Sequence, residues 1–159
     1  MKASFLATAL LLAACTPQAA SDAGQPGPVP ELDEHYGFGE LTVVTDSGAS
    51  QEFRVYLATG FEQQRRGLMF IRKLPPDVGM LFIYEDDAIR SMWMKNTYIP
   101  LDMVFARADG TVINVVSDTV PQTLDSHAST EPARFVLELN AGTARKLGIG
   151  KRSRLIRDD

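Results

Sequence analysis

After its first 36 residues the sequence is a succession of short strand-like runs separated by turn residues. In "QEFRVYLA", Phe53, Val55 and Leu57 alternate with side chains of the other face, which is the period of a half-buried strand. Asp109-Gly110 joins the runs "LDMVFA" and "TVINVV", and this dipeptide is a strong hairpin signal. The pattern predicts an α+β, mainly β domain, built as a compact barrel-like antiparallel or mixed sheet with two short helices.

The two helices and one further hairpin are predicted from their boundary residues. "TGFEQQRRGLM" has Thr59 and Glu62 at the spacing of a capping box, and Gly67 is placed to end the helix. "NAGTARKLG" is a second short helix, closed by Gly148. The turn residues "TDSG" separate the first two strand-like runs, which predicts that these two strands pair as a hairpin.

The N-terminus has the pattern of an export signal and lies outside the predicted fold. Residues 1–14 contain an early lysine and then an apolar run that is too short to span a bilayer. The run ends in "LAAC", which resembles the lipobox of bacterial lipoproteins and implies cleavage before Cys15, the only cysteine, followed by its acylation. We therefore expect a lipid-anchored envelope protein, held by membrane lipid through palmitate-type chains on Cys15 and facing the periplasm. Thr16 in place of aspartate favours the outer membrane, by resemblance to lipoprotein sorting in Gram-negative cells.

The remaining chain divides into a tether and one domain. Residues 15–36 are rich in Pro, Ala, Gly and acidic side chains, so we expect a flexible tether there and a single globular domain over residues 37–159. The full chain has a net charge of −4, without a basic excess that would neutralise phosphates, so we expect no nucleic-acid partner. The domain has no cysteine and therefore no thiolate metal site, and we expect neither a resident metal nor a cofactor.

The stretch "SMWMKNTYIPLD" is the candidate site. If "SMWMKN" and "LDMVFA" form a hairpin, Lys95 lies opposite Asp102, and both share a face with Trp93. An exposed pair of this kind contributes only about 0.2–1 kcal/mol and serves to hold the hairpin, whereas the same pair in a cleft would be a functional site. Both readings stay open at this point.

Copper binding is a third reading of the same stretch. Met92 and Met94 flank the only tryptophan, and thioether ligands select Cu(I). A methionine face is also an ordinary way to fill a core. Titration of Cu(I) against a competing chelator separates the two, because copper binding would be lost on Met92→Ile and Met94→Ile.

The motifs "RGLM", "GMLF" and "WMKNTYIPLD" together resemble the domain of unknown function 192 family, small bacterial and archaeal proteins that are often exported. The resemblance extends over nearly all of residues 38–156. It implies a small α/β or β-barrel fold and no established activity. Arg66, Lys95 and Asp102 match the family pattern, whereas Met92 stands where the family often has phenylalanine.

These observations predict a binding module for a small molecule, an envelope glycan or a partner protein. Its binding surface is expected to hold Arg66, Trp93, Lys95, Asn96 and Asp102, since binding sites combine aromatic walls with a few fixed polar groups. The alternative is an envelope hydrolase with Asp102 as acid or base and Lys95 controlling its charge. A Cu(I)-binding periplasmic protein is the further alternative.

Overall fold

The structure, a computed structural model, describes residues 29–157. The predicted signal peptide, Cys15 and the first part of the tether lie outside this range. Within it the elements follow one another as α1 (Pro30–Asp33), β1 (Gly37–Val44), β2 (Ser50–Ala58), α2 (Phe61–Arg66), β3 (Val78–Ala88), β4 (Ser91–Met92), β5 (Leu101–Ala106), β6 (Val112–Val116), β7 (His127–Ala128), β8 (Ala133–Asn140), α3 (Thr143–Leu147) and β9 (Arg154–Arg157). No helix within residues 29–157 is long and apolar enough to cross a membrane.

Seven strands form one curled half-barrel sheet, in the order β6-β5-β8-β3-β2-β1-β9. All neighbouring strands are antiparallel except β2 and β3, which are parallel. The mainly β, barrel-like fold is thus confirmed, and so are both predicted hairpins, β1–β2 and β5–β6. β4 and β7 form a separate two-stranded ladder.

The two outer strands of the half-barrel meet at a short seam. The amide of Val112 donates to the carbonyl of Ser153 at 3.0 Å, and the amide of Leu155 donates to the carbonyl of Gly110 at 2.9 Å. Gly110 has φ +83°, and a Cβ at this position would lie 2.0 Å from the carbonyl oxygen of Leu155. Only glycine therefore lets the β5–β6 turn approach β9 this closely.

The sheet separates two apolar clusters because successive side chains of a strand point to opposite faces. On β5, Met103 and Phe105 belong to one cluster, whereas Val104 belongs to the other. The Phe105 cluster also holds Met80, Met92 and Met94, so the predicted methionine face is confirmed as core. α3 packs with the Val104 cluster, to which its Ala144 belongs.

Residues 29–36, called here the N-terminal strap, are packed against the sheet. Val29, Leu32 and Tyr36 are buried, and α1 is a third short helix beside the two predicted ones. The Tyr56 hydroxyl donates to the Asp33 carboxylate at 2.8 Å and accepts from the amide of Val29 at 2.9 Å. Among the described residues, packed structure is therefore already present at Val29. Burial of three apolar side chains at helical spacing stabilises this segment against the sheet, although its overall composition is polar.

Helix α2 begins and ends close to its predicted boundaries. Gln63, rather than the predicted Glu62, reaches back to the first turn, where its Oε1 accepts from the amides of Thr59 and Gly60 at 3.1 Å each. The helix ends at Gly67, as predicted, and φ of Gly67 is +49°. α2 therefore carries Arg65 and Arg66 in its last turn, where they face the candidate site.

Candidate functional site

The predicted hairpin between "SMWMKN" and "LDMVFA" does not form. β4 ends at Met92 and pairs with β7, and residues 93–100 form a loop. Both edges of β5 are already occupied, one by β6 and the other by β8. The prediction was wrong because local alternation identifies a strand without identifying the distant strand that will pair with it.

Asp102 therefore has a different position from the one predicted. Its side chain is 0% exposed and points to the α3 side of the sheet, away from Lys95. Its carboxylate accepts hydrogen bonds from the amide of Asp118 at 3.0 Å and from the amide of Ala144, in the first turn of α3, at 2.8 Å. Asp102 is thus a buried anchor for two chain segments, and it forms no ion pair with Lys95.

The other four predicted binding residues come together at one depression, called here the cleft. Its inner part has a volume of about 260 Å³ and is bounded by α2 and the turn after it, by the loop at residues 91–97, and by β3 and β8. Its lining residues are Phe61, Gln64, Arg65, Arg66, Gly67, Leu68, Met69, Phe82, Tyr84, Ser91, Met92, Trp93, Lys95, Thr97 and Glu138. An outer hollow of about 360 Å³ shares Arg66, Trp93 and Lys95 with the inner part and adds Asn96.

Glu138 is the functional candidate that the sequence prediction missed. It lies on β8 between Leu137 and Leu139, it is only 4% exposed, and it lines the inner part of the cleft. Its neighbours across the sheet are Met80 on β3 and Met103 on β5. The sequence signal was a single carboxylate inside the apolar run "FVLEL", since a continuous apolar run is typical of a strand that is buried on both faces.

Burial raises the pKa of Glu138 to about 8 because the apolar surroundings disfavour the ionised form. Within residues 29–157 the Glu138 carboxyl makes no hydrogen bond and no salt bridge. Buried carboxyl groups normally have partners, and those without one cluster at functional sites. Glu138 is therefore largely protonated at neutral pH, and its accessible side faces the cleft.

Two tyrosines border Glu138. Burial raises the pKa of both Tyr36 and Tyr84 to about 12. The nearby positive charge opposes the shift, from Arg66 at Tyr36 and from Arg90 at Tyr84, whereas the ionised form of Glu138 adds to both shifts. The Tyr36 hydroxyl donates to the carbonyl of Gly67 at 2.9 Å, and the Tyr84 hydroxyl donates to Met92 Sδ at 3.7 Å. Both hydroxyls thus donate to groups in the walls of the cleft. The hydrogen bond of Tyr36 also connects the strap to the end of α2.

The rim of the cleft is cationic and aromatic. The Arg66 guanidinium lies 5.9 Å from the ring centroid of Phe70, and Lys95 Nζ lies 5.2 Å from that of Trp93, whose side chain is 46% exposed. Neither cation forms a salt bridge in the described part of the chain, whereas the adjacent Arg65 is paired with Glu62 at 2.7 Å. An anionic group entering the cleft would therefore meet two unpaired cations.

Asn96 holds the two sides of the rim together. It adopts φ +54°, and its carbonyl accepts the amide of Phe70 at 2.9 Å. Its side-chain Nδ2 contacts Met69 Sδ at 3.8 Å. Asn tolerates the left-handed conformation better than most residues, so this position favours it. Asn96 thus fixes the loop that carries Trp93 and Lys95 onto the turn after α2.

The structure places the two methionines of the copper hypothesis in separate contacts. Met92 Sδ receives the Tyr84 hydroxyl, whereas Met94 Sδ lies 3.2 Å from the Thr119 hydroxyl. Among residues 29–157 there is no group of three or more His, Cys, Asp and Glu side chains that could hold a metal ion. His127, opposite Met92 in the β4–β7 ladder, has a buried Nε2 without a hydrogen bond. Copper binding stays a hypothesis.

A second cavity, of about 390 Å³, lies beside the seam, between β9 and residues 108–110. Its charged side chains include Arg154, which donates to the carbonyl of Asp109 at 3.1 Å, and Arg157, which lies 5.7 Å from the ring centroid of Phe135. No carboxyl group without a partner points into it among the described residues, since Asp109 accepts the amide of Thr111. The cleft with Glu138 is the better candidate, although it is the smaller cavity.

Comparison with known proteins agrees with this description of the fold. The model of the family DUF192, described as an uncharacterized ACR, matches residues 42–156. A solved protein of unknown function from Novosphingobium aromaticivorans DSM 12444 is 32% identical, with a TM-score of 0.76, over 89% of this chain and 99% of its own. Another, from Sinorhizobium meliloti 1021 and provisionally named a transcription regulator, is 41% identical, with a TM-score of 0.75, over 77% of this chain and 95% of its own. No curated protein matches the chain.

Proposed function

The chain belongs to the DUF192 family, which has no assigned activity, and we propose from its cleft that it is a binding protein for a small ligand of the cell envelope. The observation that carries the proposal is Glu138, a buried carboxyl without a partner at the floor of a cleft whose rim bears Arg66, Trp93 and Lys95. Pockets of this kind combine apolar and aromatic walls with a few convergent polar groups.

The size of the cleft favours a small molecule among the three predicted kinds of ligand. Its inner volume of about 260 Å³ is just below the range of roughly 300–1,000 Å³ that is typical of drug-sized ligands. A ligand the size of an amino acid or one sugar ring fits this volume. A glycan or a partner protein would extend from it into the outer hollow, over Phe70 and Asn96.

Thermal unfolding of the full-length protein against a library of small charged and aromatic compounds tests the proposal. A ligand present at about ten times its Kd stabilises the folded state by about 1.4 kcal/mol. We expect hits whose effect is lost in Trp93→Ala and retained in Phe38→Ala, a control that removes an exposed aromatic ring outside the cleft. If no compound stabilises the wild type, or if the hits are unaffected by Trp93→Ala, the cleft is not a binding site.

An envelope hydrolase is the second candidate, with Glu138 in the role that the sequence predicted for Asp102. The raised pKa of Glu138, about 8, favours this candidate because a general acid must carry its proton at the working pH. The test is incubation with peptidoglycan fragments, followed by mass spectrometry of the products. A hydrolase predicts products that disappear in Glu138→Gln, whereas a binding protein returns the fragments unchanged.

We also propose that acyl chains on Cys15 attach the protein to the envelope, with the outer membrane favoured. The support is the sequence "LAAC" and the threonine that follows it. In vivo palmitate labelling of the wild type and of Cys15→Ser tests the anchor, and equal labelling of both would refute it. The charge of the chain, −4, offers no excess of cations for phosphate backbones, so we propose no nucleic-acid partner.

A further inference from the structure

The cleft presents two kinds of ionisable groups without an ion-pair partner, one at its floor and one at its rim. At the floor, Glu138 is 4% exposed and has no hydrogen bond or ion pair within residues 29–157. At the rim, Arg66 and Lys95 lie against aromatic rings and have no carboxylate partner in the same range. The Glu62 carboxylate, which lines the outer hollow with them, is engaged by Arg65.

From this arrangement we infer that the ligand carries both an anionic group and a protonated amine, with the anion held at the rim by Arg66 and Lys95 and the amine placed against the Glu138 carboxyl. The inference rests on the proposed function and specifies its ligand class. An ammonium supplies the positive charge that no side chain supplies to Glu138, together with up to three hydrogen-bond donors. A hydroxyl supplies one donor and no charge, so it would leave the ionised carboxyl uncompensated.

The apolar walls add a third requirement. Phe82 and Leu68 line the inner part of the cleft, and Trp93 is half exposed at its mouth. A short apolar or aromatic group between the two charged groups, or beside them, would cover these surfaces. A free amino acid with an aromatic side chain has this composition. The phosphoethanolamine headgroup of a membrane lipid has the same pair of charges without the apolar group.

Binding of an amine should depend on pH through Glu138. The charged or titratable groups around Glu138 are Tyr36 from the strap, Tyr84 from β3, Arg65 and Arg66 from α2 and Lys95 from the loop. Burial alone shifts the pKa of Glu138, so none of these cations compensates its charge directly. The pKa of each tyrosine is raised to about 12, so neither titrates near neutrality. Because the pKa of Glu138 is about 8, its ionised fraction rises about 50-fold between pH 6 and pH 8, and affinity for a protonated amine should rise with it.

Three matched compounds separate the two charged groups of the ligand. They are L-phenylalanine, 3-phenylpropionate, which lacks the amine, and phenethylamine, which lacks the carboxylate. We expect calorimetry on the full-length protein at pH 8 to show that L-phenylalanine binds at least about 10-fold more tightly than either analogue. Phosphoethanolamine is the fourth probe, and tighter binding of it than of L-phenylalanine would identify a lipid headgroup as the source of the same chemistry.

Two variants assign the two ends of the ligand. Glu138→Gln should remove the preference for L-phenylalanine over 3-phenylpropionate and flatten the pH dependence, while Arg66→Gln should remove the preference for L-phenylalanine over phenethylamine. Arg72→Gln, a cation on an aromatic ring outside the cleft lining, should change neither preference and is the control.

The possible failures are distinct. Equal binding of L-phenylalanine and 3-phenylpropionate, or no binding of any of the four probes, overturns the amine–anion ligand class. If the compound library nevertheless gives hits that depend on Trp93, the proposed binding function stands. If the library also gives none, both fail. Should Glu138→Gln not fold, the pH dependence of wild-type binding between pH 6 and pH 8 decides alone, and an affinity that is constant over this range overturns the inference.

Discussion

Replacement of Glu138 by glutamine removes a buried carboxyl group from the floor of the cleft and should change how stability depends on pH. The unfolded chain releases the Glu138 proton near its ordinary pKa of 4.5, whereas the folded protein holds it until the pKa of about 8. Between these values the folded state binds more protons than the unfolded state, so wild-type stability falls as pH rises. Glutamine has the same shape and no proton to release.

The size of the effect follows from the difference between the two pKa values. Each unit of difference corresponds to about 1.4 kcal/mol. With pKa values of 4.5 in the unfolded chain and about 8 in the folded protein, the wild type is less stable than at low pH by an amount that grows with pH. The loss in free energy of unfolding is about 1 kcal/mol at pH 5, about 3 kcal/mol at pH 7 and about 4 kcal/mol at pH 8. Glu138→Gln should recover this loss, so that its advantage grows with pH and nearly vanishes at pH 4.

Urea unfolding at pH 4, 5, 7 and 8 measures the effect. With a slope of about 1–3 kcal/mol/M, the midpoint of Glu138→Gln should rise relative to the wild type by about 1–3 M at pH 7. Glu85→Gln, a change of the same chemistry at an exposed position of β3, is the matched control and should leave the pH profile unchanged. Parallel profiles for the wild type and Glu138→Gln would show that the carboxyl is ionised in the folded protein, and the reasoning would be refuted.

Three further predictions test the Asp102 anchor, the N-terminal strap and the seam. Asp102→Asn should lower the free energy of unfolding by about 2–4 kcal/mol, because an amide side chain accepts only one of the two backbone hydrogen bonds well. It should leave ligand-induced stabilisation unchanged. Loss of ligand binding at unchanged stability would contradict the anchoring role. Leu32→Ala should lower the free energy of unfolding by about 2–3 kcal/mol, and limited proteolysis should then cut the strap before it cuts the sheet. Cleavage of the strap at the same rate in the wild type and the variant would mean that the strap does not pack. Gly110→Ala should lower the urea midpoint by weakening the seam at Leu155. Gly48 also has a positive φ but open space around it, so Gly48→Ala is the control that measures backbone strain alone. Equal losses of stability in the two variants would exclude a role for the close approach.

The sequence predicted the local parts of the fold because local chemistry decides them. The β5–β6 hairpin follows from Asp109-Gly110, whose backbone preferences select the turn before any distant contact forms. The end of α2 at Gly67 and the end of α3 at Gly148 follow from the same kind of preference. Alternation along β5 predicted that Met103 and Phe105 point to the same side and belong to the core, and both are buried.

The candidate site was predicted in part because its residues are close in sequence, although the reason given for grouping them was wrong. Trp93, Lys95 and Asn96 lie on one loop, so they stay neighbours whether or not a hairpin forms. Arg66 joins them because the turn after α2 is held against this loop, where the amide of Phe70 donates to the carbonyl of Asn96. Glu138 comes from a strand more than 40 residues further along, and only the packing of β8 between β3 and β5 brings it to the floor of the cleft.

The β-rich class, the turns and the apolar strand faces could be predicted from the sequence, since these depend on residues a few positions apart. Which strands are neighbours is settled by contacts between distant segments, and these contacts separate the two predicted acid–base partners, Asp102 and Lys95. Asp102 became an anchor beneath α3, and Glu138 became the carboxyl of the cleft. Strand pairing and burial arise from contacts between distant segments, and burial is what turns an ordinary glutamate into a group that is largely protonated at neutral pH.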